Sequence, residues 1–158
     1  MSAPVTITAT NDREITIIRD FAAPRARVWE AWTTPEQVKR WFGPNGWSLP
    51  VCEIDLRPGG AWRYVMEKDT GARMTLKGTY LEVTPPSRLV STESFDPPWY
   101  PGDAVNTLLL HEEAGVTTMT IIVRYPSKEI RDGALASAMG TGMEEGFARL
   151  EAVLEEAQ

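Results

Sequence analysis

Few residues of this chain belong to the types that usually carry catalysis or bind metals. The 158 residues include one histidine, His111, and one cysteine, Cys52. A Ser-His-Asp or Cys-His arrangement would have to use His111, which lies in a predicted strand, and we interpret it as a surface residue. One histidine and one cysteine cannot supply the spaced ligands of a zinc site, and the acidic residues are not arranged like a calcium loop. The sequence therefore predicts neither a metal site nor a cofactor.

Four polar residues lie within predicted strands, where they could host acid–base chemistry. They are Glu67, Arg73, Lys77 and Glu93. Such chemistry would need two of them to face one pocket with shifted pKa values. Cross-strand ion pairs on the solvent side of a sheet are the simpler interpretation. We therefore assign no catalytic residue and favour a role other than catalysis.

Apolar and aromatic residues form a larger candidate set, which is suited to lining a ligand pocket. The chain has six tryptophans, and the large area of this side chain is normally used in a core or a pocket. Strand alternation groups these residues on common faces, and methionine adapts to irregular shapes. The candidate lining residues are Trp62, Tyr64, Met66, Met74, Leu76, Tyr80, Glu93, Phe95, Trp99, Leu108, Leu110, Met139, Gly142, Met143 and Phe147. The alternative is that each of them simply belongs to the core.

The composition indicates one globular domain that spans residues 1–158. Hydrophobic residues make up 42% of the chain and charged residues 24%, which is enough apolar content for a substantial core. The net charge of −6 argues against binding to nucleic acid, whose partners usually present a basic face. No apolar run has the length of a membrane span or the form of a signal peptide. We expect a soluble cytoplasmic protein that binds neither nucleic acid nor membranes.

Hydrophobic periodicity predicts seven antiparallel strands and three helices. Two short helices, at 24–32 and 35–41, follow the first strand. The second begins with Thr-Pro-Glu-Gln, in which Thr34 would cap the helix and Gln37 would return a hydrogen bond to the cap. Residues 1–12 are either loosely held or an additional edge strand. The predicted strands span residues 13–21, 49–56, 61–68, 73–83, 88–95, 104–112 and 116–125.

The last predicted element is a long amphipathic helix at 127–155. Its apolar residues recur with a period near 3.6, which is typical of a helix with one buried face. Gly140, Gly142 and Gly146 interrupt it, each at a cost of about 1 kcal/mol relative to alanine. Their spacing is not that of a dinucleotide-binding loop. They would either let the helix pack closely or leave volume for a ligand.

The segment at 96–103 is a proline-rich loop that carries two aromatic residues. Its three prolines stiffen the backbone, while Trp99 and Tyr100 offer apolar area that a monomer seldom leaves facing water. We predict that this loop gates a pocket whose far wall is the glycine-bearing part of the last helix. A dimer interface that covers Trp99 is the alternative.

The order of these features resembles the SRPBCC (START-like) superfamily. The resemblance rests on APRARVWEAW at 23–32, WTTPEQVKRWFGPNGWSLPVCEIDLRPGGAWRY at 32–64 and GTYLEVTPPSRLV at 78–90. It extends from about Ile15 to Leu154 and covers nearly the whole chain. It implies an α+β helix-grip fold, in which a curved seven-stranded antiparallel sheet surrounds a long C-terminal helix, with two short helices after strand 1.

More narrowly, the chain is similar to the branch homologous to the C-terminal domain of activators of the 90-kDa heat-shock chaperone ATPase. Relatives in the superfamily hold lipids, polyketides and plant hormones between sheet and helix, so the resemblance implies a small hydrophobic or amphipathic ligand. Activation of the chaperone ATPase and an aromatase/cyclase or hydrolase activity in the same cavity are the alternatives. The eukaryotic activators use a separate N-terminal domain for their principal chaperone contact, and the predicted domain here begins by about Ile15, which favours ligand binding. A homodimer is compatible with these features.

Overall fold

The structure, a computed structural model, describes residues 4–137 and 139–156. These residues form eight strands and four α-helices. The strands are β1 (Thr6–Ala9), β2 (Glu14–Phe21), β3 (Trp47–Ile54), β4 (Ala61–Lys68), β5 (Arg73–Thr84), β6 (Arg88–Asp96), β7 (Ala104–Glu113) and β8 (Val116–Arg124). The helices are α1 (Arg25–Thr33), α2 (Pro35–Trp41), α3 (Lys128–Ala136) and α4 (Met139–Glu156).

The strands form one antiparallel sheet in the order β1-β2-β8-β7-β6-β5-β4-β3. This arrangement, with two short helices after the first long strand and helices at the C-terminal end, confirms the predicted α+β helix-grip class. The described chain has eight strands rather than the seven predicted, because residues 6–9 pair with β2. Thr6 lies opposite Ile18 and Ala9 opposite Ile15. The alternative of an additional edge strand is therefore the correct one.

One face of the sheet, called the inner face below, packs against the helices. On β2 this face carries Ile15, Ile17 and Phe21, none of which is more than 1% exposed. The ring of Phe21 meets Phe147 of α4 edge to face, with 6.3 Å between the ring centroids. Because successive side chains of a strand point to opposite faces, the alternating apolar residues of the sequence form this one buried surface.

Helices α1 and α2 close part of the inner face around Trp41. This tryptophan is 2% exposed, and its indole N–H donates a hydrogen bond to the backbone oxygen of Ala31 at 3.0 Å. Its ring lies 4.7 Å from that of Trp32 and 6.3 Å from that of Phe147, measured between centroids. Trp41 therefore joins both short helices to α4.

The reciprocal hydrogen bonds predicted at the start of α2 are not formed. Thr34 is the N-cap residue, but its side chain makes no capping hydrogen bond. Gln37 instead accepts a hydrogen bond from Arg27 and donates one to Glu30 at 3.0 Å. Hydrogen bonds to charged partners are stronger than those between neutral groups, so Gln37 links α2 to α1 rather than capping its own helix.

The single C-terminal helix predicted at 127–155 is in fact two helices. Helix α3 ends at Ala136, because Ser137 has extended backbone geometry with φ −81° and ψ 173°. The Ser137 hydroxyl donates to the backbone oxygen of Ala134 at 2.6 Å and accepts from the amide of Met139 at 3.3 Å. Serine competes with the helical backbone for hydrogen bonds in this way, which hydrophobic periodicity does not register. None of the described helices combines the length and the apolar character that crossing a membrane requires.

Two of the helix glycines lie against the segment that connects α2 to β3. A Cβ atom on Gly146 would lie 3.3 Å from the backbone oxygen of Trp41 and 3.4 Å from that of Gly43. A Cβ atom on Gly142 would lie 3.4 Å from Pro44, an ordinary van der Waals distance. At these positions the glycines let the helix approach a neighbouring loop rather than the sheet.

We expect alanine to have different effects at these two positions. Gly142→Ala should raise the free energy of unfolding by up to about 1 kcal/mol, because alanine is the better helix former and its methyl group fits beside Pro44. Gly146→Ala should give no gain, since the new methyl group would lie tightly against the backbone oxygen of Trp41, which cannot move as a side chain could. Urea unfolding of both variants measures the difference, and equal gains would contradict the close approach at Gly146.

Candidate functional site

A small group of polar side chains lies on the inner face near the 96–103 loop, apart from the buried Arg19 and Thr117 at the β2–β8 end of that face. Ser91 and Glu93 of β6 share that face with Asn106 of β7, because Ser91 pairs with Asn106 and Glu93 pairs with Ala104. Ser91 is buried, whereas Glu93 and Asn106 each keep part of their surface accessible. These three residues, called the polar patch below, lie where a solely structural core would place apolar side chains.

Glu93 stands in the middle of a row of residues that crosses the sheet. Trp62 pairs with Gly78 on β5, and Glu93 pairs with Ala104 on β7. Small residues therefore flank the carboxyl group on both sides, and aromatic residues end the row. When the pairs Lys77–Ser94 and Val105–Arg124 are each extended by one residue, the row contains in order Trp62, Gly78, Glu93, Ala104 and Tyr125.

Gly78 is required by the position of the Trp62 indole. The indole N–H of Trp62 reaches across β5 and donates a hydrogen bond to the backbone oxygen of Thr92 at 3.1 Å. A Cβ atom on Gly78 would lie 1.8 Å from that oxygen and 2.8 Å from the indole nitrogen. No other residue fits between them, so the glycine holds the indole of Trp62 against the strand that carries Glu93.

The carboxyl group of Glu93 has an unusual electrostatic environment. Burial raises its pKa to about 7, and the Asn106 side chain opposes this rise by hydrogen bonding to the carboxylate. Burial also raises the pKa of Tyr64, Tyr100 and Tyr125, and the nearby Glu93 charge raises each of them further. Glu93 is therefore the group of this set that changes charge near neutral pH, while the three phenols stay protonated.

Two buried polar atoms beside the carboxyl group lack partners. Among the described residues, neither Asn106 Oδ1 nor the Tyr100 hydroxyl makes a hydrogen bond of ordinary geometry. The Ala104 backbone lies near enough to the Tyr100 hydroxyl to oppose the rise in its pKa. Buried polar atoms are almost always hydrogen-bonded in folded proteins. These two atoms could be satisfied by a bound molecule or by water.

An aromatic cluster adjoins the polar patch. It comprises Phe95, Trp99, Tyr100 and Tyr125, and the closest pair, Trp99 and Tyr100, has 4.3 Å between ring centroids. The Phe95 ring lies 6.1 Å from that of Tyr100, and the Tyr100 ring lies 6.0 Å from that of Tyr125. Trp99 remains 47% exposed although it contacts the rest of the cluster. The 96–103 loop thus brings two aromatic rings to the edge of the inner face.

Strand register brings most of the predicted lining residues onto the face that carries the polar patch. Tyr64 pairs with Leu76, which in turn pairs with Phe95, and Met66 pairs with Met74. Leu108 and Leu110 share this face, but they are at most 5% exposed and lie on β7, against which α1 packs. The predicted residues on this face are Trp62, Tyr64, Met66, Met74, Leu76, Tyr80, Glu93, Phe95, Leu108 and Leu110. Their role as ligand contacts stays a prediction.

The predicted lining residues of α4 have other surroundings. Phe147 packs between Phe21 and Trp41, so it belongs to the junction of helices and sheet. Met139 and Met143 are partly buried against the core. Gly142 has Pro44 as its nearest neighbour, and its role in the far wall of a pocket stays a prediction. The period of the helix identifies its buried stripe but not which neighbour each residue meets.

Several residues of the site were not among the predicted lining residues. Ser91 and Asn106 lie two residues from Glu93 and Leu108, respectively, so strand alternation alone would have placed them on the same face. Tyr125 continues the alternation of β8 beyond its last residue. The pairing of Gly78 with Trp62 depends on the register of two strands, and the sequence contains no signal for it.

The other candidate groups lie on the surface. Glu67 and Arg73 form an ion pair of 2.7 Å between β4 and β5, which confirms the cross-strand interpretation for these two residues. His111 is exposed on β7, as interpreted from the sequence. Within residues 4–137 and 139–156, no three histidine, cysteine or acidic side chains cluster as metal ligands would.

The eight-stranded antiparallel sheet, packed on one face by two short helices and a C-terminal helix pair, defines an α+β protein of the helix-grip type. Residues 22–155 match the family described as activator of Hsp90 ATPase homolog 1-like protein, and the chain belongs to that SRPBCC-type family.

Solved structures support the same assignment. A protein from Rhodobacter sphaeroides is 31% identical, with a TM-score of 0.90 over 97% of this chain and 99% of that one. A protein from Nitrosomonas europaea is 27% identical, with a TM-score of 0.83 over 94% of this chain and 98% of that one. An AHSA1 protein from Silicibacter pomeroyi, 19% identical with a TM-score of 0.74 over 92% of this chain and 99% of that one, shares the fold. A comparison with curated protein sequences gives no match.

Proposed function

We propose that this protein binds a small hydrophobic or amphipathic molecule between the inner face of the sheet and the helices. The observation that carries the proposal is the polar patch, because Asn106 Oδ1 and the nearby Tyr100 hydroxyl are buried without hydrogen-bond partners in the described chain. Ligand sites of this kind are mostly apolar and contain a few polar groups that fix the orientation of the ligand. The aromatic cluster would supply the apolar contacts and the polar patch the oriented ones.

The side chains of the polar patch are partly accessible, which supports the presence of open space beside them. Glu93 and Phe95 face inward on β6, yet each keeps part of its surface accessible. The neighbouring inner-face residues Leu89 and Leu76 are 8% and 5% exposed. The accessible inward-facing residues therefore concentrate near the 96–103 loop, and we place the entrance there. The role of Trp99 as part of a gate follows from this placement.

A matched pair of variants on β7 tests the proposal. Asn106→Leu adds apolar volume beside Glu93 and removes the polar anchor, so the affinity for the neutral dye Nile red should fall about tenfold, equivalent to about 1.4 kcal/mol. Thr107→Leu should leave the affinity unchanged, because Thr107 lies on the opposite face of the same strand, paired with Val90. Fluorescence titration gives both affinities. Equal affinities for the two variants, or no saturable binding to the unmodified protein, would argue against the proposal.

Stimulation of a heat-shock chaperone ATPase is the second candidate function. It is favoured by the description of the matching family, activator of Hsp90 ATPase homolog 1-like protein. The rate of ATP hydrolysis by a bacterial 90-kDa chaperone, measured with increasing amounts of this protein, separates the two functions. Saturable stimulation of several-fold that persists in Asn106→Leu would favour the chaperone role over ligand binding.

A further inference from the structure

The carboxyl group of Glu93 forms no ion pair with a described residue and lies next to aromatic rings and unsatisfied acceptors, and these surroundings suit a particular class of ligand. We propose that the molecule bound at the polar patch carries a protonated amine and that Glu93 is its counter-ion. This inference rests on the proposed function and specifies the chemical class of the ligand. The amine would be the polar end of a molecule whose apolar part contacts the aromatic cluster.

Among residues 4–137 and 139–156, no arginine or lysine forms an ion pair with Glu93. In the described part of the chain, every ion pair of an arginine or lysine is with another acidic residue; the buried Arg19, for example, pairs with Glu151 at 3.1 Å. Burial and the Asn106 side chain are the influences on the Glu93 carboxyl group, and neither carries positive charge. A carboxylate in such surroundings gains strongly from a cation that arrives with the ligand.

The number of free hydrogen-bond acceptors at the polar patch equals the number of N–H donors in a primary ammonium group. A primary ammonium has three N–H donors and no acceptor. Around the polar patch, the Glu93 carboxylate, Asn106 Oδ1 and the Tyr100 hydroxyl could each accept one hydrogen bond, and the last two make no hydrogen bond of ordinary geometry in the described residues, although the Ala104 backbone lies near the Tyr100 hydroxyl. A ligand hydroxyl would donate to only one of these acceptors and a carbonyl to none.

The aromatic cluster favours the same class. Cations are attracted to the faces of tryptophan and tyrosine rings, most strongly where water is excluded. Trp99, Tyr100 and Tyr125 lie within 6.4 Å of one another between centroids, and Glu93 acts electrostatically on both tyrosines. Apart from the carboxyl group, the titratable groups close to this space are Tyr64, Tyr100 and Tyr125, which burial keeps neutral, and Asp103, whose charge adds to that of Glu93 in raising the pKa of Tyr100.

Two isosteric probes test the inference by isothermal titration calorimetry. Naphthalen-1-ylmethylamine and naphthalen-1-ylmethanol differ in the group that would reach Glu93. At pH 8 the amine should bind at least about tenfold more tightly than the alcohol. Glu93→Gln should remove this preference, whereas Glu113→Gln, an exposed control on β7, should retain it.

The pH dependence adds a readout that needs no variant. Because protonation of Glu93 competes with the amine, the affinity for the amine should fall by up to about tenfold per unit as the pH drops below about 7, while the affinity for the alcohol stays constant. Equal or tighter binding of the alcohol, or binding of neither probe, would overturn the inference. If Nile red still binds in that case, only the amine class fails; if Nile red does not bind either, the proposed function fails as well.

Discussion

Replacing Trp41 with alanine should lower the free energy of unfolding by about 3–5 kcal/mol, the usual range for a buried tryptophan. Trp41 is 2% exposed, contacts the rings of Trp32, Phe42 and Phe147, and donates a buried hydrogen bond to Ala31. Truncation would open a cavity between α1, α2 and α4 and leave the Ala31 oxygen without its donor. Urea unfolding monitored by circular dichroism measures the loss.

The same substitution at Trp99 is the matched control. Trp99 is 47% exposed, so Trp99→Ala should cost about 1 kcal/mol, on the scale of losing part of its buried apolar area. The contrast between the two tryptophans depends only on their surroundings, since the chemical change is identical. Losses of similar size would mean that Trp41 does not hold the helices together.

Glu93→Gln should change how stability depends on pH. The pKa of Glu93 is about 7 in the folded protein, whereas the ordinary value for a glutamate, which applies to the unfolded chain, is 4.5. The folded state therefore holds the proton more tightly. Between about pH 4.5 and pH 7 the folded protein binds more protons than the unfolded chain, and the free energy of unfolding therefore falls as the pH rises through this window. The protonated Glu93 side chain stabilises the folded state by about 3 kcal/mol below pH 4.5, and this stabilisation is lost as the pH rises to about 7.

The measurement compares the variant with the unmodified protein at pH 4 and at pH 8. Glutamine does not ionise, so Glu93→Gln should become more stable relative to the unmodified protein by about 3 kcal/mol between these two pH values. Other carboxyl groups titrate in the same range but cancel in the difference. Glu113→Gln, at an exposed position, should show no such change. A flat difference for Glu93→Gln would show that the carboxyl group is well solvated.

The sequence was sufficient to predict the class of the fold because its signals are local. The alternation that places Trp62 and Tyr64 on one face, and the proline that starts α2, depend on neighbouring residues alone. The end of α3 was missed because Ser137 stops the helix through side-chain hydrogen bonds that apolar periodicity ignores. The sequence could not decide whether residues 6–9 form a strand, because the apolar alternation of four residues at the edge of a sheet, Thr6–Ala9, is weak.

The candidate site could be predicted only in part, because it depends on strand register. Glu93 and Phe95 were identified from alternation along one strand. Their position beside Asn106 follows from the pairing of β6 with β7, which no local pattern specifies. The contact of Gly142 with Pro44 could not be predicted for a related reason, since helical period shows that a residue faces inward without showing which residue it meets.

The indole of Trp62 makes the residue allowed at position 78 depend on the residue at position 62. Between the pairs Lys77–Ser94 and Tyr80–Ser91, two hydrogen bonds that join the strands involve side chains: Trp62 donates to the Thr92 oxygen, and the Thr92 hydroxyl accepts from the Thr79 amide at 2.9 Å. A side chain at position 78 would displace the indole and leave the Thr92 oxygen without its donor. Relatives that keep a tryptophan in this position must therefore keep glycine at position 78, whereas position 92 supplies only a backbone oxygen to this bond and is not tied to the pair through its side chain.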